Sequence, residues 1–172
     1  APDLRGFGSS EARPVDATRG LRDFADDIDA LWRKMAGGRP AQLVGHSVGA
    51  AVAMQLALAQ PGLVSALVVA DIAPVDYPPR HDQVFAALEA VAAGQCTSRQ
   101  EAAALMAGHL AEEQVIQFLL TSLRRDPDGI YRWRFNLEGL RRDYAAARSR
   151  PTATGSYPGP VLFIKGGDSN YI

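Results

Sequence analysis

The feature that most constrains the fold is the run Leu43–Val52, in which Gly-x-Ser-x-Gly separates an apolar segment from an alanine-rich one. This pattern predicts a sharp turn between a strand and a helix, a nucleophile elbow, with Ser47 at its apex and its hydroxyl exposed. Gly45 and Gly49 are expected there because a Cβ at either position would collide with the neighbouring strand or helix. The helix is predicted to begin just after Ser47, so that its free N–H groups face the serine.

The two neighbours of Ser47 in the chain have different predicted roles. The Val48 N–H lies in the first turn of the helix, where it can stabilise an oxyanion. His46 is not expected to be a catalytic base, because adjacent residues at a strand end point to opposite sides. A base must also lie about 2.6–3.2 Å from the serine oxygen. His46 is therefore predicted to pack or hydrogen-bond beneath the elbow.

Composition excludes several classes of function. The 172 residues carry a net charge of -1, so no basic surface for nucleic acid and no polybasic membrane patch is expected. No apolar run is long enough to span a membrane and no signal-peptide pattern opens the chain, which predicts a cytoplasmic protein. Cys96 is the only cysteine, so an internal disulfide is excluded. The acidic residues of the first helix, Asp23, Asp26, Asp27 and Asp29, are interpreted as a solvated face and not as a metal site.

The first part of the chain predicts a strand–helix–strand unit. Ala41–Val44 is an apolar strand, a helix runs from Val48 to about Ala59, and Leu63–Ala70 is a continuous apolar strand of the kind buried on both faces. This order predicts parallel pairing with a right-handed crossover. An amphipathic helix from Thr18 precedes the unit. Its apolar stripe consists of Leu21, Phe24, Ile28, Leu31, Trp32 and Met35.

The segment from about residue 74 to 150 has mostly helical patterns, unlike the strand–helix–strand unit before it. Three helical patterns follow one another, and the second opens at Thr97 or Ser98 with Glu101 placed for a capping box. A short alternating strand, Tyr131–Phe135, and one more helix follow. About seventy residues of mostly helix are too many for a simple connection between two sheet strands. The segment is therefore predicted to be an inserted helical cap, with apolar residues lining a pocket.

These patterns predict an α/β fold in which a mostly parallel sheet is flanked by helices. Val161–Ile164 is predicted to be a further buried strand of that sheet. The predicted organisation is a core in residues 1–73, a helical cap in residues 74–150, and the continued core in residues 151–172. The abrupt first and last residues lead us to expect an excerpt of a longer protein.

The chain resembles the α/β-hydrolases, and more narrowly the YbfF-type esterases and the α/β-hydrolase domain-containing protein 11 group. The resemblance spans nearly the whole chain. It is carried by Gly45–Gly49, by Asp71–Tyr77, which is its most specific part, and by later runs. Those runs are Arg80–Asp82, Val115–Leu120, Trp133–Asn136 and Gly166–Ser169. The family's elbow usually ends Met-Gly-Gly where this chain has Val48, Gly49 and Ala50, and the family often has Asn where Asp168 stands.

The resemblance implies hydrolysis of small carboxylic esters, and of acyl thioesters, through an acyl-enzyme and without a cofactor. Ser47 would be the nucleophile, and Asp71 matches the acid of the Ser-Asp-His triad. The position of Asp71 after an apolar strand agrees, because active sites lie at the carboxyl edge of parallel strands. A helix or loop cap is the alternative role for Asp71. Asp168, which follows the last strand, is the alternative acid.

The base of the triad is not predicted among these residues. In this fold the histidine follows the acid, and no histidine follows Asp168. His81 and His109 lie in the predicted cap. His81, Phe85 and Phe118 are candidates for lining a substrate pocket. We therefore expect early strands, a second oxyanion donor and the catalytic histidine outside this chain, and no ester turnover by these 172 residues alone.

Two other functions are also compatible with these sequence patterns. A carbon–carbon bond hydrolase could use the same fold and triad, and a binding protein without activity could retain the elbow as structure. Dehalogenase and epoxide-hydrolase chemistry is disfavoured, because those enzymes have Asp where Ser47 stands.

Overall fold

The structure, a computed structural model, describes residues 1–169 and divides into two compact units. The first unit comprises Ala1–Leu4, Pro14–Pro78 and the chain from Asp143 onward. The second comprises Arg5–Arg13 and Pro79–Arg142. The assignment of a cap to residues 74–150 stays a prediction.

The first unit holds a three-stranded parallel sheet. Its elements are α1 (Leu21–Ala36), β1 (Ala41–His46), α2 (Val48–Ala59), a 3₁₀ turn (Pro61–Leu63), β2 (Val64–Ala70), α7 (Tyr144–Ala147) and β5 (Val161–Ile164). The strand order is β1-β2-β5, so the predicted strand–helix–strand unit with parallel pairing is confirmed. The register pairs His46 with Ala70 and Ala70 with Ile164, so all three strands end at the same level.

Helix α2 is the centre of this unit, because every residue from Ala50 to Ala57 is buried. Its alanines let the sheet approach closely, and α1 packs against it through Leu21, Phe24 and Ala25. Helix α1 begins at Leu21 and not at Thr18. The reason is that Gly20 has a φ of 54°, which a right-handed helix does not adopt.

The prediction that all the acidic residues of α1 are solvated is wrong for Asp23, which is buried. Its carboxylate accepts a hydrogen bond from the Asp16 N–H at 2.8 Å and pairs with the Arg19 guanidinium. These partners compensate the cost of burying a charge. Asp23 thus fastens the segment before α1 to the helix.

The prediction that β5 is a buried strand is also wrong. All four of its side chains are exposed, and Val161 and Leu162 show 43% and 56% of their surface. The reason is its place in the sheet, since β5 pairs with β2 on one side and forms an edge of the sheet in the described part of the chain. Strand β2 is buried at Leu67 and Val69, but its other face is mostly half-buried.

The second unit is mostly helical. It contains α3 (Asp82–Gly94), α4 (Arg99–Ala107), α5 (Glu113–Leu120), the antiparallel strands β3 (Leu123–Arg125) and β4 (Tyr131–Trp133), and α6 (Leu137–Arg142). The core of this unit lies between α3, α4 and α5.

The predicted capping box at the start of α4 is confirmed. The Ser98 hydroxyl accepts from the Glu101 N–H at 3.2 Å, and the Glu101 carboxylate accepts from the Thr97 N–H at 2.8 Å. Strands β3 and β4 form a hairpin that is hydrogen-bonded to α3, because the Trp133 indole donates to the Leu88 carbonyl at 2.9 Å. The helix predicted after the short strand Tyr131–Phe135 is divided into α6 and α7, which belong to different units.

Candidate active site

Ser47 occupies a strained turn between β1 and α2. Its φ of 51° and ψ of -127° lie outside the regions that a residue with a side chain ordinarily adopts. Hydrogen bonds hold it there, because its N–H donates to the Ala70 carbonyl at 3.0 Å and its carbonyl accepts from the Ala50 N–H at 2.9 Å. Strain of this kind costs on the order of 1–3 kcal/mol and is concentrated at functional sites. The sharp strand-to-helix turn predicted at Ser47 is therefore present in the structure.

Gly45 makes this turn possible. A Cβ on Gly45 would lie 2.6 Å from the Ala50 nitrogen and 2.6 Å from the Gly49 carbonyl oxygen, and closer still to the Ala50 Cα. These are backbone atoms that cannot move aside without distorting α2. The absence of a side chain at Gly45 lets the end of β1 touch the first turn of the helix.

The same requirement predicted for Gly49 is wrong. A Cβ on Gly49 would meet no atom within 4 Å. Gly49 borders an apolar cavity of about 280 Å³ within the first unit, so a side chain there would meet open space. The two glycines of the motif therefore have different physical roles.

Replacing each glycine by alanine tests this difference. We expect Gly45→Ala to prevent folding or to lower the melting temperature strongly, because the new Cβ overlaps backbone. Gly49→Ala should be neutral or stabilising by up to about 1 kcal/mol, since alanine is the better helix former. Thermal unfolding of the two variants measures the effect. Equal melting temperatures would show that the close approach at Gly45 is not required.

The Val48 N–H is the first donor of α2. The first N–H groups of a helix have no partner within the helix, and its positive dipole end lies there. No acidic residue stands in the first turn of α2. The geometry leaves this end of the helix suited to a negative charge that develops beside Ser47.

Asp71 stands at the carboxyl edge of the sheet beside the elbow. The pairing of His46 with Ala70 makes Ser47 and Asp71 the next residues on two neighbouring parallel strands. The backbone of Asp71 is also left-handed, with φ 55°, and its N–H donates to the Ile164 carbonyl at 2.8 Å. The sheet thus brings the predicted nucleophile and the predicted acid to one edge.

The Asp71 carboxylate is fastened by the turn that follows β5. Its Oδ1 accepts from the Gly166 N–H at 3.1 Å, and the Ser169 side chain also hydrogen-bonds it. The Ser169 bond first, then the Gly166 bond, hold the pKa of Asp71 below its usual range, with small contributions from the charges of His46 and Lys165. The carboxylate is therefore ionised at neutral pH. No sequence pattern predicted Ser169 as a partner of Asp71, because the two residues are brought together only by the pairing of β2 with β5.

The remaining predicted site residues lie in different surroundings. Asp168 is exposed on the turn after β5. His81 is half-buried before α3, and burial is the main cause that lowers its pKa. Phe85 is buried within the second unit, where the Arg141 guanidinium lies 5.1 Å from its ring centroid, whereas Phe118 is 71% exposed. The assignment of His81, Phe85 and Phe118 to a substrate pocket stays a prediction.

His46 does not pack beneath the elbow as predicted. It is exposed at the end of β1, and it borders the apolar cavity on the side of Gly49. The physical reason is that β1, like β5, lies at an edge of the described sheet. The other histidines, His81 and His109, belong to the second unit.

Residues 1–169 contain neither a metal-binding cluster of side chains nor a helix suited to a membrane. Among these residues, no group of three or more His, Cys, Asp or Glu side chains is placed to hold a metal ion. None of the helices in the same part of the chain is both long and apolar enough to cross a membrane.

Comparison with known proteins adds evidence from outside the chain. The sequence model of the alpha/beta hydrolase family matches residues 1–171. Esterase YbfF of Escherichia coli (strain K12) is 39% identical over 177 residues, which cover 99% of this chain and 63% of the relative. The sn-1-specific diacylglycerol lipase ABHD11 of Mus musculus is 36% identical over 176 residues, covering 99% of this chain and 56% of the relative.

The fold has a counterpart among solved structures. A marine microorganism esterase superposes with a TM-score of 0.88 at 29% identity, over 99% of this chain and 66% of that one. The chain thus spans less than two thirds of the length of these relatives.

Proposed function

The chain belongs to the alpha/beta hydrolase family, and from that premise we propose that its protein is a serine hydrolase that cleaves carboxylic esters. The resemblance read from the sequence and the predicted α/β-hydrolase fold are thereby confirmed. The observation that carries the proposal is the strained backbone of Ser47, which is held at φ 51° by the close contact of Gly45 with α2.

The proposed reaction begins at Ser47. Its Oγ attacks the ester carbonyl carbon while a histidine base takes the hydroxyl proton, and the carbonyl oxygen becomes an oxyanion. The Val48 N–H stabilises that negative charge at the helix terminus. The alcohol then leaves with the proton from the histidine, and an acyl group remains on Ser47. Water, activated by the same base, releases the acid and restores the serine.

Asp71 is assigned as the acid of the triad. It is ionised and adjacent to Ser47 in the register of β1 and β2. A fixed carboxylate orients the imidazole and stabilises its charged form. We assign the base to a histidine outside residues 1–172, because the histidine of this fold comes late in the chain order of the triad and no histidine follows β5 in these residues.

The proposed substrates are esters of small acyl groups, with acyl thioesters as a second class. Relatives named an esterase and a diacylglycerol lipase support an acyl ester as the substrate class. The proposed chemistry needs no cofactor, since nucleophile, acid and oxyanion donor are all protein groups.

A fluorophosphonate probe tests the proposal directly. We expect the full-length protein to be labelled on Ser47, identified by peptide mass spectrometry, and to hydrolyse short p-nitrophenyl esters. Labelling of another residue, or no labelling of a folded protein, would contradict the assignment. Turnover of a dienoic diketone in place of esters would instead support carbon–carbon bond hydrolysis.

A further inference from the structure

The loop that follows Asp71 is apolar and is held in shape by its own hydrogen bonds. Its residues Ala73, Pro74 and Val75 carry no polar side chain. The Ala73 N–H donates to the Tyr77 hydroxyl at 2.8 Å, and the Val75 N–H donates to the Ala73 carbonyl at 2.9 Å. Pro74 also restricts the backbone, because its ring fixes φ. The loop is therefore preorganised before a substrate binds.

The far end of this loop is anchored within the first unit. Tyr77 is buried in the core of that unit, and its N–H donates to the Arg148 carbonyl at 2.9 Å. The Arg148 guanidinium donates to the Tyr77 carbonyl at 2.5 Å. The Asp76 carboxylate accepts from the Arg150 N–H at 2.9 Å, and the Arg150 guanidinium lies 3.6 Å from it. The loop is thus held at both ends, since the Asp71 N–H is bonded to β5.

Val75 presents an apolar side chain at the edge of the sheet that carries Ser47. Its side chain is 49% exposed, whereas the other large apolar side chains exposed in the described part of the first unit stand on α1, β1 or β5. Four residues separate Val75 from Asp71, so their Cα atoms are at most about 14 Å apart. The bend at Ala73 shortens this distance. Asp71 in turn adjoins Ser47 across β1 and β2.

This edge combines the two kinds of surface that an ester needs. Ligands of open parallel sheets bind outside the carboxyl ends of the strands, in sites where apolar side chains surround a few polar groups. Ser47 and Asp71 supply the polar groups, and the loop supplies apolar surface that removes an acyl chain from water. Because the loop is already ordered, little conformational entropy is lost when a substrate contacts it.

We propose that Val75 is a specificity-determining residue for ester hydrolysis, whose isopropyl group contacts the acyl-chain carbons that an acetyl group lacks. This inference rests on the proposed function. The carbons in question do not react, so the contact is the same in the bound substrate and in the transition state. Such a contact lowers KM for the longer ester and leaves kcat unchanged.

The test compares p-nitrophenyl hexanoate with p-nitrophenyl acetate as substrates of the full-length protein. We expect Val75→Ala to lower the ratio of kcat/KM for hexanoate to that for acetate about fivefold, because the contact loses two methyl groups. The change should appear as a higher KM for hexanoate. Val75→Thr keeps the shape of the side chain but replaces one methyl by a hydroxyl, so it should lower the same ratio. Both variants should hydrolyse acetate as the wild-type protein does.

Met35→Ala supplies a matched control. Met35 is also apolar and is 72% exposed, but it stands in the last turn of α1, close in the chain to the amino end of β1. Ser47 follows the carboxyl end of the same strand. Met35→Ala should therefore leave the ratio of the two esters unchanged. An equal fall of the ratio in Met35→Ala and Val75→Ala would contradict the proposal.

The remaining outcomes separate the role of Val75 from the proposed function. If Val75→Ala and Val75→Thr keep the wild-type ratio while both esters are hydrolysed, the role of Val75 is refuted and the hydrolase stands. A fall of equal size for both esters would also refute it, because that is the effect of a residue that only supports the fold. If the folded wild-type protein hydrolyses neither ester, the proposed function fails, and the role of Val75 fails with it.

Discussion

Ser47→Ala is expected to lower the turnover of short p-nitrophenyl esters by the full-length protein on the order of 10³-fold or more, with the fold retained. Without the hydroxyl no acyl-enzyme forms, and only substrate binding and the oxyanion donor contribute to the remaining rate. Labelling by a fluorophosphonate should disappear together with turnover. Ser65, which is exposed on β2, supplies a matched Ser→Ala control that should keep full activity. A folded Ser47→Ala protein with near-normal turnover would exclude Ser47 as the nucleophile.

A second variant at the same position measures the strain of the elbow. Glycine adopts positive φ without steric cost, so Ser47→Gly should be as inactive as Ser47→Ala but more stable than the wild-type protein. The gain should be on the order of 1–3 kcal/mol, the usual cost of such a backbone conformation. Chemical denaturation of the three proteins measures it. A wild-type protein as stable as Ser47→Gly would show that the turn stores no strain.

Asp71→Asn is expected to have the second largest effect, a fall in kcat on the order of 10²–10⁴-fold. An amide lacks the negative charge that stabilises the imidazolium and can hold the imidazole in the wrong tautomer. The size of the loss separates Asp71 from the alternative acid. Asp168 is exposed on the turn after β5, whereas the Asp71 carboxylate is fixed by two donors beside the elbow. Asp168→Asn should therefore change kcat little.

The two asparagine variants are compared by steady-state kinetics on one ester, with circular dichroism to establish folding. A severe loss in Asp168→Asn and a small loss in Asp71→Asn would reverse the assignment. The pKa of Asp71 adds a check at low pH. Because its folded pKa lies below the usual value, the carboxylate stabilises the fold at neutral pH, and this stability is lost as pH falls through the folded pKa. Asp71→Asn should lack this dependence.

Local patterns in the sequence were sufficient for the strand–helix–strand unit and for the elbow. The apolar run before Ser47 and the alanines after it place a strand and a helix on either side of the turn, and the structure has β1 and α2 there. The parallel pairing also followed, since a strand–helix–strand order has essentially one handedness and one strand direction. These properties depend on neighbours in the chain, which a sequence records directly.

Patterns of polarity were less reliable guides to burial. Asp23 was predicted to be solvated with the other acids of α1, but Asp16 and Arg19 fold back to cover it. Val161–Ile164 was predicted to be buried because it is apolar, yet it forms an edge of the described sheet and is exposed. A sequence shows which side chains are apolar, but the neighbours that cover them come from elsewhere in the fold.

By itself, the sequence determined that Ser47 stands on a sharp turn between a parallel strand and a helix, because the glycine, apolar and alanine positions that form this turn are contiguous. Only the tertiary structure decided the contacts across strands. The register of β1, β2 and β5 brings Ser47, Asp71 and the turn at Gly166 to one edge, and it fastens Asp71 by donors 95 or more residues further along the chain. Hydrogen bonds between such distant residues depend on the alignment of whole strands, which no short pattern encodes.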